Sequence, residues 1–192
     1  RASQELKRVK PYENNKGHNS RSAYFEPTIH KDNRGYFMET FRKSFFDQVN
    51  SDLNFVQDNQ SLSKKGTLRG LHYQLKFPQG KLVRVLKGEI FDVAVDLRKD
   101  SLSFGQWVGE TLSAENRKQL WIPPGFAHGF LVLSETAEMS YKCTDYFLPE
   151  DDHSLLWSDP DIAILWPQIE EEILISDKDR AGKLLSEASV FE

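Results

Sequence analysis

The stretch TLRGLHYQLKFPQGKLVRVLKGEIFDVAV, residues 67–95, decides the fold class of this chain. It is rich in apolar and β-branched residues and is interrupted by turn-forming residues at PQG and KGE. This composition predicts two or three β-strands joined by turns, the first two forming a hairpin. Arg69, His72 and Lys81 lie among the apolar residues. They indicate either a solvated sheet face or a wall built for catalysis or anion binding.

The rest of the chain repeats this pattern of short strands separated by turn signals roughly every 8–12 residues, which favours an antiparallel sandwich or barrel. Strands do not alternate with helices, so a parallel α/β sheet is not expected. Residues 42–53 predict a short helix, and residues 179–188 are weakly helical. The polar residues 1–20 predict a flexible N-terminal extension, which leaves 21–192 as a single domain.

Charge and cysteine content narrow the possible partners and compartment. The 25 basic and 29 acidic residues give a net charge of −4, so no overall basic field attracts nucleic acid. No apolar run approaches the roughly 18 residues that cross a bilayer, so no membrane partner is expected. Cys143 is the single cysteine and has no partner for an internal disulfide, which fits a reducing compartment. These features predict a cytoplasmic protein.

Two histidines are candidates for chemistry. His72 lies within RGLHYQ, where the alternative interpretation is a hydrogen-bonded structural histidine. His128 ends the pattern P-x-G-x-x-H in PPGFAHGF, which resembles the second motif of the cupin superfamily. Metal-binding cupins also have H-x-H in their first motif, but here Gln74 stands in place of the second imidazole. Gln is a poor ligand for transition metals, so a metal site is disfavoured and His72 is free to act as a base.

Basic residues on the strands are candidates for an anion site, the alternative being that they are solvated. Arg69 and His72 differ by three positions, so an ideal strand places them on opposite faces. They face one cavity only if the strand bulges at Gly70. Arg84 has the opposite parity to Lys81, so Lys81 alone is expected in the cavity.

Tyr141 shares its strand face with Met139 and Cys143 in EMSYKC. A tyrosine among apolar neighbours is usually a core residue whose hydroxyl is hydrogen-bonded. A role as proton donor requires that Tyr141 meet His72 across a cavity.

Several longer stretches, which run from about Asp32 to Trp166, resemble one family, that of the dTDP-4-dehydrorhamnose 3,5-epimerases. They are DNRGYFMETF, FVQDNQS, LRGLHYQ, QGKLVRVLKGEIFDVAVDLR, SFGQWVGETLSAENRKQLWIPPGFAHGF and YKCTDYF. The resemblance implies an all-β cupin jelly roll, a double-sheet barrel with short peripheral helices, that forms a homodimer and uses no metal or cofactor. It also implies epimerisation of C3 and C5 of dTDP-4-dehydro-6-deoxy-D-glucose to dTDP-4-dehydro-L-rhamnose through enolates, in dTDP-L-rhamnose biosynthesis.

The resemblance also implies roles for individual residues. His72 would be the base, Lys81 the group that stabilises the enolate oxygen, and Tyr141 the proton donor on the opposite face. Asp179, in the short run S-D-K-D, would orient His72, with Asp177 as the alternative. The positions that match the family's nucleotide contacts are Arg34, Phe37, Glu39, Gln57, Asn59, Arg69 and His128.

Other activities fit parts of the pattern. A related enzyme could epimerise only C3 or only C5, or act as a sugar 3,4-ketoisomerase, with a similar base in a differently shaped pocket. A non-enzymatic sugar-nucleotide-binding cupin would be expected to lack the base or the acid, and neither is absent. A metal-dependent cupin oxygenase or isomerase is disfavoured by Gln74.

Overall fold

A computed structural model describes residues 10–11, 23–47 and 52–192. Within these residues the chain forms β-strands, two one-turn α-helices and a 3₁₀ turn at Pro149–Asp151. The helices are α1 (Lys43–Phe46) and α2 (Asp177–Arg180). The strands are β1 (Lys10–Pro11), β2 (Ala23–Phe25), β3 (Ile29–Asp32), β4 (Gly35–Met38), β5 (Gln57–Lys64), β6 (Leu68–Gln74), β7 (Lys81–Lys87), β8 (Glu89–Asp96), β9 (Trp107–Ser113), β10 (Gln119–Ile122), β11 (Phe126–Val132), β12 (Thr136–Cys143) and β13 (Asp152–Ser154).

Two antiparallel sheets carry most of these strands. One has the order β1-β2-β10-β7-β12-β5, the other has the order β13-β6-β11-β8-β9, and β3 and β4 form a separate hairpin. Apolar side chains from both sheets meet in a shared core that includes Val83, Ile90, Leu120, Phe130 and Met139. This arrangement confirms the predicted all-β, double-sheet jelly roll of the cupin type.

The predicted hairpin between β6 and β7 is wrong. β6 pairs with β11 and β13, whereas β7 pairs with β10 and β12 in the other sheet. The connecting residues 75–80 do not make a tight turn, because Asp151 accepts hydrogen bonds from the backbone amides of Leu75, Lys76 and Phe77. Stacked sheets lie about 10 Å apart, a gap that a six-residue connection spans easily. His72 and Lys81 therefore reach the interior from opposite walls.

The predicted bulge in β6 is confirmed. His72 is paired with His128 and Arg69 with Phe130, so three steps along β6 match two along β11. Gly70 lies at the shift with φ of +120°, and the bond to Leu71 is a cis peptide. The extra residue changes the strand parity and turns Arg69 towards the same cavity as His72.

Strand parity in β7 also follows the prediction. Val83 and Val85 pack in the core between the sheets, whereas Leu82 packs on the outer face with Phe46 and Trp121. Lys81 shares the inward face, and Arg84 does not line either cavity described below.

The helix predictions were only partly correct. α1 falls within the predicted range 42–53, of which residues 48–51 lie outside the described part of the chain. The weak helix predicted over 179–188 is wrong beyond Arg180. There the backbone of Lys183 bonds instead to Ser154 and Leu156, so tertiary pairing replaces the helical hydrogen bonds.

The N-terminal extension predicted for residues 1–20 lies outside the described residues, apart from Lys10–Pro11, which pair with β2. No helix in the described ranges has the length and apolar character needed to span a membrane.

Candidate active site

Two adjoining cavities open between the sheets, and both are lined by His72, Lys81 and Tyr141. The larger cavity has a volume of about 660 Å³ and adds Arg69 and His128 to its wall. The smaller cavity, of about 310 Å³, is lined by further polar side chains that include Gln57, Asn59, Gln74 and Gln79. The three residues proposed for chemistry therefore lie where the two cavities meet.

His72 is held by a buried carboxylate. Its Nε2 lies 2.5 Å from Oδ1 of Asp179, which is only 3% exposed. Asp179 lies in α2, where its backbone amide donates to the capping hydroxyl of Ser176. Asp177, the alternative partner, is exposed on the same helix and does not line the cavity. The geometry therefore pairs Asp179 with His72 and leaves Nδ1 of the imidazole as the basic nitrogen.

The Asp179 carboxylate has several donors. Burial by itself raises its pKa, but hydrogen bonds from His72, from the Gly70 amide and from Ser176 hold the pKa below its ordinary value. The Gly70 amide donates to Oδ2 over 3.3 Å. Asp179 therefore remains ionised and can stabilise an imidazolium on His72.

Lys81 approaches from the opposite sheet. Burial lowers the pKa of its ammonium, while the nearby groups Cys143, Asp152 and Asp92 act to raise it. No carboxylate in residues 10–11, 23–47 and 52–192 forms an ion pair with Lys81. Its charge is thus directed to whatever occupies the cavity.

Tyr141 lies on the same wall as Lys81, because β12 pairs with β7. Burial raises the pKa of its hydroxyl, an effect partly offset by a hydrogen bond from Asn59. His72 belongs to the other sheet, so the imidazole and the phenol face the cavity from opposite sides. A planar intermediate held between them would be exposed to a base on one face and an acid on the other.

The wall of the larger cavity is rich in cationic and donor groups. Arg69 donates from Nε to Ser63 Oγ over 3.2 Å, which anchors its guanidinium at the cavity. His128 Nε2 lies 2.5 Å from Oδ1 of Asp92, and both side chains are buried. The carboxylate holds the imidazole in a fixed orientation. These groups suit the binding of an anionic ligand.

Three predicted nucleotide contacts are not brought to this site. Arg34, Phe37 and Glu39 lie in or beside the β3–β4 hairpin, and none of them lines either cavity of their own chain. The Arg34 side chain is 86% exposed and bonds to Asp32, and Phe37 is 70% exposed. Arg34 and Phe37 are therefore exposed on the surface of their own chain, where another molecule has access to them.

Sequence reasoning missed an ion pair at the cavity. Lys178 lines the larger cavity, Asp152 lines the smaller one, and their side chains form a salt bridge. The position of Lys178 beside Asp179 in S-D-K-D was the available signal. Nothing in the sequence around Asp152 pointed to the cavity, because β13 joins β6 only through tertiary pairing.

Gln74 stands where metal-binding cupins have a second histidine, and its contacts bear on a possible metal site. The Gln74 amide bonds to the backbone of Phe77, Tyr146 and Leu148, so it supports a loop. Across the described residues, no group of three or more His, Cys, Asp or Glu side chains is arranged to hold a metal ion.

The fold and the site together define a cupin-type jelly roll with an acid–base cavity between its sheets. The chain matches the family model described as dTDP-4-dehydrorhamnose 3,5-epimerase over residues 21–187. It therefore belongs to this family.

Individual relatives agree with the family match. The chain is 54% identical over 168 residues to the dTDP-4-dehydrorhamnose 3,5-epimerase of Pseudomonas aeruginosa, a match that covers 87% of this chain and 92% of the relative. It is also 54% identical to the enzyme of the same name from Methanothermobacter thermautotrophicus, covering 86% of this chain and 90% of that one.

A solved structure is similar throughout the fold. It is the dTDP-6-deoxy-D-glucose-3,5-epimerase of Legionella pneumophila in complex with dTDP-4-keto-L-rhamnose. The two chains superpose with a TM-score of 0.84 at 53% identity, covering 88% of this chain and 89% of the other.

Proposed function

We propose that this protein epimerises C3 and C5 of dTDP-4-dehydro-6-deoxy-D-glucose to give dTDP-4-dehydro-L-rhamnose, a step in dTDP-L-rhamnose biosynthesis. The observation that carries this proposal is that the imidazole of His72 and the phenol of Tyr141 face one cavity from opposite walls. His72 lies on one sheet and is held by Asp179 of α2, whereas Lys81 and Tyr141 lie on the other sheet. The family membership and the relatives named above support the same substrate.

The chemistry begins with removal of a proton from carbon. C3 and C5 both flank the C4 ketone, so loss of either proton gives an enolate whose charge lies on O4. His72 accepts the proton at Nδ1, and Asp179 stabilises the resulting imidazolium. An imidazole is a weak base for a carbon acid, and each pK unit of mismatch costs about 1.4 kcal/mol. The ammonium of Lys81, which forms no ion pair within the described part of the chain, lowers this cost by stabilising the enolate oxygen.

Inversion requires that the new proton arrive from the other face of the enolate. Tyr141 lies on the wall opposite His72 and supplies this proton from its hydroxyl. Burial raises the pKa of the phenol, so the hydroxyl remains protonated near neutral pH and is ready to donate. One base alone would return the proton to the face from which it came.

The remainder of the substrate supplies binding energy. Arg69 and His128 offer cationic and donor groups in the larger cavity, where they would bind the diphosphate. This binding, remote from the reacting carbons, holds the sugar over His72 and Tyr141.

The protein acts without a metal or organic cofactor in this scheme, because the enolate charge is met by Lys81. A cytoplasmic location is proposed with it, supported by Cys143, a free and buried thiol that fits a reducing compartment.

We also propose a homodimer in which the β3–β4 hairpin completes the partner's nucleotide site. The support is the exposure of Arg34 and Phe37 on a hairpin whose strands pair only with each other among the described strands. A mixing experiment tests both parts. His72→Ala subunits and Arg34→Glu/Phe37→Ala subunits are unfolded together and refolded, and activity is compared with each variant alone.

Heterodimers from this mixture contain one site with an intact cavity and an intact hairpin only if the hairpin crosses to the partner. Recovery of activity is the expected result. Activity no higher than that of the two separate variants contradicts the exchange, and a monomer mass of 22.2 kDa in light scattering contradicts the dimer.

The reaction itself is tested in D2O with dTDP-4-dehydro-6-deoxyglucose, following C3 and C5 by NMR. Deuterium at both carbons, with reductive trapping of the product as L-rhamnose, is expected. Label at one carbon identifies a mono-epimerase, trapping of a 3-keto sugar identifies a ketoisomerase, and absence of exchange contradicts an enzymatic function. His72→Ala should lose exchange at both carbons while still binding dTDP. Normal exchange in this variant would contradict the assignment of the base.

A further inference from the structure

Four groups near Tyr141, joined by three contacts, form a hydrogen-bonded chain that is called the amide relay below. The backbone amide of Phe147 donates to Gln57 Oε1 over 2.9 Å, and Gln57 Nε2 donates to Asn59 Oδ1 over 3.1 Å. Asn59 Nδ2 then lies 3.6 Å from Cys143 Sγ. Asn59 is the direct cross-strand partner of Tyr141 in the β5–β12 register, and both residues line the smaller cavity.

The amide relay fixes the direction of every hydrogen bond within it. A backbone N–H can only donate, so the atom of Gln57 that meets Phe147 is its oxygen. The Gln57 NH2 group therefore points to Asn59, and the atom of Asn59 that it meets must be the oxygen. The Asn59 NH2 group is consequently the part of the side chain turned towards Cys143, which shares a strand face with Tyr141, the cross-strand partner of Asn59. The neighbour of the phenol is a donor and not an acceptor.

This direction has a consequence for the phenol. A hydroxyl that accepts a hydrogen bond from Asn59 through its oxygen has its own hydrogen free for another acceptor. The Asn59 amide also acts to lower the pKa of Tyr141 against the larger effect of burial, so it favours the phenolate. The free O–H is thus available to the cavity that His72 faces from the other sheet.

We infer that Asn59 is a positioning residue that directs the Tyr141 proton at the substrate carbon and stabilises the phenolate left behind. This inference rests on the proposed function of Tyr141 as proton donor. In the step, the enolate double bond supplies the electron pair of the new C–H bond, and the O–H bond of Tyr141 breaks. The phenolate accepts the Asn59 N–H until solvent reprotonates it. Asn59 thereby has a role distinct from the nucleotide contact expected from the sequence.

The test compares two rates in D2O, the formation of inverted product and the exchange of deuterium into unreacted substrate. His72 can remove a proton and return a deuteron to the same face without Tyr141. Loss of the proton donor therefore raises the ratio of exchange to inversion. A structural defect or weaker nucleotide binding changes both rates together and leaves this ratio unchanged.

Asn59→Asp is the central variant, because the carboxylate has the same shape and has only acceptors. It should reduce inversion about tenfold or more, as expected for a lost hydrogen bond to a charged group, while exchange and KM change less than about threefold. Gln57→Glu is the second variant and does not touch Tyr141. It should turn the Asn59 oxygen towards the phenol and change the ratio in the same direction. Asp58→Asn, on the outer face of β5 where Asp58 pairs with Lys142, is the matched control.

The outcomes distinguish failure of the Asn59 role from failure of the Tyr141 role. A higher KM with an unchanged ratio would make Asn59 a nucleotide contact, and an equal fall of both rates would make it structural; either result overturns the inference. Tyr141→Phe is measured alongside. If Tyr141→Phe raises the ratio and Asn59→Asp does not, the amide relay is wrong and the proton donor stands. If Tyr141→Phe leaves the ratio unchanged, the proposed role of Tyr141 itself fails.

Discussion

Replacing Asp179 by asparagine removes a charge beside the proposed base and leaves the shape of the side chain almost unchanged. Two of the donors to the carboxylate are His72 Nε2, at 2.5 Å from Oδ1, and the Gly70 amide, at 3.3 Å from Oδ2. An asparagine offers one acceptor and one NH2 group to these same two positions. Its NH2 group must either oppose the Gly70 N–H or point at His72.

Each orientation has a cost. An NH2 group opposite the buried Gly70 amide leaves a donor without its acceptor. An NH2 group that donates to Nε2 selects the tautomer with hydrogen on Nδ1, the nitrogen that has to accept the substrate proton. A hydrogen bond to a charged group contributes about 1.5–3 kcal/mol, which corresponds to a loss of about 10- to 150-fold in kcat. The corresponding change in a serine protease triad, which also inverts the tautomer, costs about 10⁴-fold and sets the upper limit.

The assay is kcat for product formation together with deuterium exchange at C3 and C5. Because Asp179→Asn impairs the base, the rates of deuterium exchange and of inversion should fall together. In the Asn59→Asp variant only the rate of inversion should fall strongly. Asp177→Asn is the matched control, because Asp177 is exposed on the same helix and lies outside the cavity lining. A loss of less than threefold in Asp179→Asn, with the fold intact by thermal melting, would refute the role of Asp179.

Three further predictions follow from the same geometry. Burial lowers the pKa of Lys81 from its ordinary 10.5, so the loss of kcat with rising pH should begin below pH 10.5. Lys81→Arg should move this loss to higher pH at reduced kcat. A loss of kcat at the same pH in the variant would assign it to another group. Gly70→Ala, whose Cβ would lie 2.5 Å from Gly129 Cα, should destabilise the fold by more than about 2 kcal/mol in urea unfolding. Gly35→Ala shares the positive φ but has open space, so it should cost only about 1 kcal/mol, and equal losses would contradict the role of close packing. Dialysis against EDTA should leave activity unchanged, and a loss restored by a divalent metal would contradict the metal-free scheme.

The sequence predicted the local features of the site well. The opposite parity of Lys81 and Arg84 in β7 correctly placed Lys81 alone at the cavity. The spacing of Arg69 and His72 allowed the two residues to share a cavity only through a bulge at Gly70, and that bulge is present. Both results depend on the two-residue repeat of a strand, which any short segment of sequence displays.

The predicted partners in the sheets were less reliable. The hairpin expected between β6 and β7 does not form, and the helix expected after Asp179 is replaced by pairing of Lys183 with the chain at Ser154 and Leu156. In each case a contact with residues distant in sequence competes with the local structure and replaces it. The run around Arg34 and Phe37 forms two strands joined by a turn, in line with the general pattern of short strands, but its distance from the cavity of its own chain was not foreseen.

Residue type and strand parity are local properties, so the sequence was enough to predict the candidate residues for chemistry and the strand faces that they occupy. Only the tertiary contacts determine on which wall of the cavity each of these residues lies. Crossing from β6 to β7 places His72 and Lys81 on opposite sheets, and the pairing of β12 with β7 and β5 brings Tyr141 beside Lys81 and Asn59. Inversion at carbon depends on groups on two faces of the substrate. Those two faces exist only once residues more than 100 positions apart, such as His72 and Asp179, have packed around one cavity.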